Sequence, residues 1–203
     1  MLASSTSGNF WARSWCLPLA AAFAALSSTV AASATLKSVG TAEIDVHLPG
    51  GTAGLTIDGK SSELVAKESG GVITVTAKLD CVTENRGHTC CIKTGIAMRG
   101  KHLWKYLEAG TFHEATLTVE RNKLNGPGDH ETIEGDATGI FSLHGVQRPL
   151  NFHYTSQRTG SDIQVHGQIT VNLKDFNIEQ PSFGGVQTGM VAEIEVQFTL
   201  RDG

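Results

Sequence analysis

Residues 163–173 alternate without a break: Ile163, Val165, Gly167, Ile169, Val171 and Leu173 occupy one parity, and Gln164, His166, Gln168, Thr170 and Asn172 the other. Successive side chains on a strand point to opposite faces, so this segment has one apolar face and one polar face. The pattern returns near the C-terminus, with Ile194, Val196, Phe198 and Leu200 set against Glu193, Glu195, Gln197 and Thr199. Shorter runs repeat it at Ile44/Val46/Leu48, Ile73/Val75/Ala77/Leu79, Leu117/Val119, Phe141/Leu143 and Leu150/Phe152/Tyr154. Turn chemistry separates the runs at Pro49-Gly50-Gly51, Ser69-Gly70-Gly71, Asn125-Gly126-Pro127-Gly128, Thr159-Gly160 and Phe183-Gly184-Gly185. About eight strands joined by short turns predict an antiparallel sandwich or barrel. One stretch departs from this period. Over Lys101–Ala109, Leu103, Trp104 and Leu107 fall at helical spacing, predicting a short helix ended by Gly110. The predicted class is all-β with one short helix.

If every strand has a single apolar face, those faces must converge on one interior. In a closed sheet of about eight strands, that interior is either filled by side chains or holds one small ligand. Aromatic residues make up 6% of the chain, and the inward candidates are mostly medium aliphatics, which leans toward a cavity. The inward parity gathers Val75, Ala77, Leu117, Val119, Phe141, Leu143, Phe152, Tyr154, Val165, Ile169, Val171, Ile194, Val196 and Phe198. Trp104 and Tyr106 join them as candidate ligand contacts, on a helix where a barrel mouth would lie. An alkyl chain against such walls gains about 0.8 kcal/mol per buried methylene, and about ten methylenes offset the ordering cost of binding. A polar head would rest at the mouth, near Tyr154, Arg99 or Lys101. The competing expectation is a non-catalytic structural or interaction domain with a solid core.

The first stretch reads differently. Arg13 is the only charge before Lys37, an apolar run follows from Leu17 to Leu26, and Ala32-Ser33-Ala34 has a small-x-small pattern. The run is about ten residues, the length of an export signal, and too short for a bilayer core that needs about 20. Residues 1–34 are therefore expected to be a cleaved signal peptide, leaving 35–203 as one domain, periplasmic or secreted. Loss of Arg13 would make the formal charge of −4 more negative by one. With no basic cluster, the domain is a poor partner for nucleic acid. With no basic amphipathic helix, it is not expected to insert stably in membranes.

Export favours a disulfide, and Cys81 with Cys90 or Cys91 would close a short loop. The remaining cysteine is then either buried or available to cross-link a homodimer. Eight histidines are scattered. No two stand at the i, i+2 strand spacing or i, i+4 helix spacing that would bring both rings to one metal. His88 lies among the cysteines, but the spacing matches neither a zinc knuckle nor a haem attachment signature. There is no G-x-S-x-G elbow and no phosphate loop, since Gly70-Gly71 and Gly184-Gly185 lack a following Lys-Ser/Thr. Glu193 and Glu195 share one face of a strand instead of meeting across a cleft. No catalytic residue, metal or cofactor is expected.

Two regions go beyond pattern. The first holds Thr94-Gly95-Ile96, Arg99-Gly100-Lys101-His102-Leu103, Tyr106 and Phe112-His113-Glu114-Ala115-Thr116-Leu117. The second holds Leu143-His144-Gly145-Val146, Arg148-Pro149-Leu150, Asp175-Phe176 and Ile178-Glu179-Gln180-Pro181. In order and spacing these motifs resemble the YceI-like proteins. Gly100 stands where that family usually has Asp, His113 where it has Pro and Asn177 where it has Gly, while 81–92 looks like an insertion. The resemblance implies an exported, lipocalin-like antiparallel barrel that holds long-chain apolar molecules such as polyisoprenoids or fatty-acid amides, without catalysis. It also implies that His102 and His144 shape loops by bonding backbone carbonyls.

Overall fold

The computed structural model describes residues 36–50, 55–83 and 87–202. The expected signal peptide, 1–34, lies outside them. In chain order come β1 (Leu36–Leu48), β2 (Ile57–Ser61), β3 (Leu64–Ser69) and β4 (Val72–Lys78). A small hairpin follows, of β5 (Asp80–Thr83) and β6 (Gly87–Cys90), then helix α1 (Ala97–Tyr106) and β7 (Glu114–Glu120). Three long strands come next: β8 (Thr132–Leu143), β9 (Val146–Thr159) and β10 (Asp162–Asn172). The short pair β11 (Ser182–Phe183) and β12 (Val186–Gln187) precedes β13 (Val191–Asp202).

Neighbouring strands run β13-β10-β9-β8-β7-β4-β3-β1, and β1 pairs back onto β13, so the sheet closes on itself. β2 and β3 both lie on β1, with Ile44 opposite Ser61 and Lys37 opposite Lys67. They are two halves of one interrupted strand. Counted once, they give an eight-strand antiparallel barrel, the one of the two architectures open to the alternation that the family resemblance implies. Closure pairs the two terminal strands with each other, where an open sheet would leave both as edges able to recruit another chain.

The interior follows the parity of the sequence. On β10, Ile163, Gly167 and Val171 are buried while Gln164, Gln168 and Thr170 are exposed. Gly167 lies opposite both Tyr154 and Val196, and a Cβ added there would meet Val196 Cγ2 at 3.1 Å. The Tyr154 ring lies over Gly135, where an added Cβ would meet it at 3.3 Å.

The two ends of the barrel differ. At one, α1 and the 173–190 segment pack over the strand ends. Leu107 and Ala109 cluster there with Phe141, Leu143, Leu173, Phe176 and Ile178. The helix begins and ends earlier than its periodicity suggests, at Ala97 and Tyr106, and Gly110 is not its cap. Glu108 adopts φ +44, its N–H bonds Lys105 O at 3.0 Å, and Ala109 N–H bonds Trp104 O at 2.9 Å. These two bonds form a Schellman motif with Glu108 in the left-handed position normally given to glycine. Gly110 serves packing instead, since a Cβ there would stand 2.8 Å from the Trp104 ring.

The segment 81–92 forms most of the β5–β6 hairpin and packs against α1. Gly100 permits this approach, because a Cβ would meet Thr89 Oγ1 at 2.9 Å. Trp104 Nε1 donates to Asp80 Oδ1 at 2.8 Å, and His88 Nδ1 stands 2.9 Å from the same oxygen. Burial alone would raise the Asp80 pKa, but hydrogen bonds from His88 and Trp104 outweigh it and hold the carboxyl below its usual range.

Of the two pairings open to Cys81, the bond is to Cys91, with Cα atoms 5.0 Å apart. Cys90 points into the core, and burial pushes its thiol up to about 11. Of the two fates open to the remaining cysteine, burial is the one Cys90 adopts, and a buried, protonated thiol is a poor nucleophile. Closing a ten-residue separation stabilises by about 2–3 kcal/mol in the chain-entropy account. Reduction is therefore expected to lower the unfolding free energy by that amount in urea melts run with and without reductant. A shift below about 0.5 kcal/mol would mean the hairpin holds its shape without the bond.

Candidate functional site

The barrel encloses a cavity of about 270 Å³, close to the lower bound of small-molecule sites, roughly 300 Å³. It arises because the inward aliphatics are too small to meet across the barrel. Val75, Leu117, Val165, Ile169, Ile194 and Val196 all face the interior, yet each is only half-buried. Side chains in a filled core of this kind would be shielded by their opposite numbers. Here they border empty space.

The structure gathers the inward-parity residues on this void. Val75 and Ala77 reach it from β4, Leu117 and Val119 from β7, Phe141 and Leu143 from β8, and Phe152 and Tyr154 from β9. Val165, Ile169 and Val171 do so from β10, and Ile194, Val196 and Phe198 from β13. Tyr106 lines it from α1. Trp104 does not: its indole turns away to Asp80 and Gly110. Arg99 and Lys101 also stand on α1 off the cavity, whereas Tyr154 lies toward the opposite end of the barrel, so these three cannot serve one head group.

Sequence reading passed over further lining residues. Ile44, Val46 and Leu48 belong to a visible alternation on β1. Leu64 on β3 belongs to a run whose third inward residue, Glu68, is charged, which hides the strand's parity. Arg121, Leu124, Asn125, Gly126 and Pro127 fold across the end away from α1. Nothing but turn chemistry marked them.

At the helical end the polar side chain that lines the cavity, Tyr106, is already engaged. The Tyr106 hydroxyl accepts from Ser182 N–H at 3.0 Å and lies 3.1 Å from Ser182 Oγ. His144, with φ +52 in the β8–β9 turn, places Nδ1 3.0 Å from Phe176 O, the loop-shaping bond expected of it. His113 Nδ1 donates in the same way to Ala109 O at 2.9 Å. His102 stands half-buried on α1. His153 and His166 face outward, beside Asp136 and Glu195. Among the described residues no three His, Cys, Asp or Glu side chains converge as metal ligands would. No helix among them is long and apolar enough to cross a membrane.

Comparison with known proteins places this arrangement. Two UPF0312 proteins, from Pseudomonas savastanoi pv. phaseolicola and Pseudomonas syringae pv. syringae, are each 27% identical over 118 residues. That alignment covers 54% of this chain and 57% of theirs, so the chain matches little more than half the length of these relatives. Among solved structures, a polyisoprenoid-binding domain from Saccharophagus degradans, implicated in plant cell wall breakdown, superposes with a TM-score of 0.66 at 18% identity. It covers 83% of this chain and 98% of that one. BcnA from Burkholderia cenocepacia superposes with a TM-score of 0.57 at 11% identity, covering 78% and 95%. At such identities the likeness is one of fold. The model of the YceI-like domain matches residues 3–201, nearly the whole chain. With the closed barrel, helix α1 and the motifs around Thr94 and His144 in place, the chain belongs to the YceI-like domain family.

Proposed function

We propose that this protein binds a long-chain apolar molecule, a polyisoprenoid or fatty-acid-like lipid, inside the barrel and carries it without catalysis. The observation that supports this most is the row of half-buried aliphatic side chains on the inner face, bordering a void of about 270 Å³. Water gains little from such a surface, whereas each methylene moved onto it gains about 0.8 kcal/mol. The polyisoprenoid-binding domain of the same fold supports the ligand class. Residues 1–34 would direct export, and the Cys81–Cys91 bond suits an oxidising compartment such as the periplasm. Val75, Ala77, Leu117, Val165, Ile169, Ile194 and Val196 would contact the chain along its length.

Purified protein extracted with organic solvent and analysed by mass spectrometry is expected to release a long-chain molecule at up to one equivalent per barrel. If nothing is released and the emptied protein takes up no added long-chain lipid, the proposal fails.

A further inference from the structure

The cavity is apolar along most of its length but not at the end away from α1. On β9 the inward series Phe152, Tyr154 continues to Ser156, so a hydroxyl occupies a position where the pattern calls for an aliphatic. Ser156 is 5% exposed, and its Oγ has no hydrogen-bond partner. Its pairing neighbours across the sheet are Ile133 and Val165. A buried hydroxyl without a partner is unfavourable, and such groups in native proteins call for a cause.

Two other donors share that end. The Tyr154 oxygen accepts from Asn125 N–H at 2.9 Å, which occupies a lone pair and leaves its proton to donate. Arg121 also lines the cavity, and its Nη1 donates to Glu68 Oε2 at 2.5 Å. Glu68 is an inward residue of β3 and only 4% exposed. The two charges cancel, while the guanidinium keeps further N–H groups to offer.

We infer that this end is a head-group subsite for an uncharged oxygen, a hydroxyl or carbonyl. The ligand then lies with its oxygen by Ser156, Tyr154 and Arg121, and its tail toward α1. The inference rests on the apolar-ligand reading and adds to it an orientation and a head-group class. Rotation about the Ser156 χ1 turns Oγ toward the lumen at little cost. An anionic head is disfavoured, because Glu68 already neutralises Arg121 and a second negative charge would be buried unpaired. Among the described residues, the polar side chain that lines the cavity at the helical end is Tyr106, and its hydroxyl is held by Ser182.

The methyl esters of 5-doxyl and 16-doxyl stearic acid test this. Trp11 and Trp15 are replaced by phenylalanine so that Trp104, on α1, is the remaining indole. The 16-doxyl ester, labelled at its tail, is expected to quench Trp104 at least twice as strongly as the 5-doxyl ester. Ser156→Ala should weaken the esters about fivefold, the worth of one hydrogen bond, and leave uptake of diphenylhexatriene, a hydrocarbon, unchanged. Equal or reversed quenching, or unaltered ester affinity in Ser156→Ala, overturns the subsite alone. Failure of both esters and diphenylhexatriene to enter overturns the apolar-ligand reading itself.

Discussion

With Val165 and Ile169 both replaced by phenylalanine, the barrel is expected to fold and to lose its ligand. The two residues flank Gly167 on β10, both line the cavity, and both are only half-buried. In a filled core, added ring atoms would force neighbours out of their rotamers at about 1–3 kcal/mol each. Here they enter empty space, so the loss of stability should stay within about 1 kcal/mol. The ligand bears the effect instead. Displacing about five methylenes forfeits roughly 4 kcal/mol, close to a thousandfold in affinity. Lipid recovered per mole of protein, measured beside a urea melt, separates the two effects. Wild-type lipid content in a folded double variant would show that the ligand is held elsewhere.

Phe176→Ala is expected to have the opposite character, a large loss of stability. Phe176 is fully buried, at 0% exposure, and sets its ring edge-on to Phe141 with centroids 5.5 Å apart. It belongs to the short 3₁₀ turn Leu173–Phe176, whose last carbonyl receives His144 Nδ1. Truncation removes the ring and leaves a hole that the surrounding turn and strand ends cannot close. The expected cost is about 3–5 kcal/mol, a fall in Tm on the order of 10 °C for a domain of this size. The neighbouring Asn177 offers the control. It adopts φ +57, which glycine adopts more readily, so Asn177→Gly should leave Tm within about 2 °C. A loss under about 1 kcal/mol in Phe176→Ala would mean that this end of the barrel is not closed by Phe176.

Much of the site was legible because strand parity is a local property. Once Val165 and Ile169 share a face, so do Val171 and Gly167, and burial of that apolar face selects the register that turns it inward. Helical spacing was a weaker guide: it located α1 but placed Trp104 at the cavity, because periodicity gives a face and not what the face meets. The interrupted strand β2–β3 was not legible at all. Glu68 breaks its apolar series, and only the partner Arg121, distant in the chain, makes that inward charge tolerable. The loop 121–128 carried turn residues alone, which show where the chain bends but not what it covers.

Alternation by itself determined that the chain forms antiparallel sheet with its apolar faces turned to one interior, a sandwich or a barrel, since period-two patterning gives each strand one face to bury. Tertiary structure decided whether that interior is full, because a void depends on how far apart opposite side chains stand across the closed sheet. It also decided that Cys81 bonds Cys91, as only one of two adjacent cysteines can point at a given partner. And it brought Ser156, Tyr154, Arg121 and Glu68 to one end of the barrel, a meeting set by strand register and chain reversal that no local pattern records.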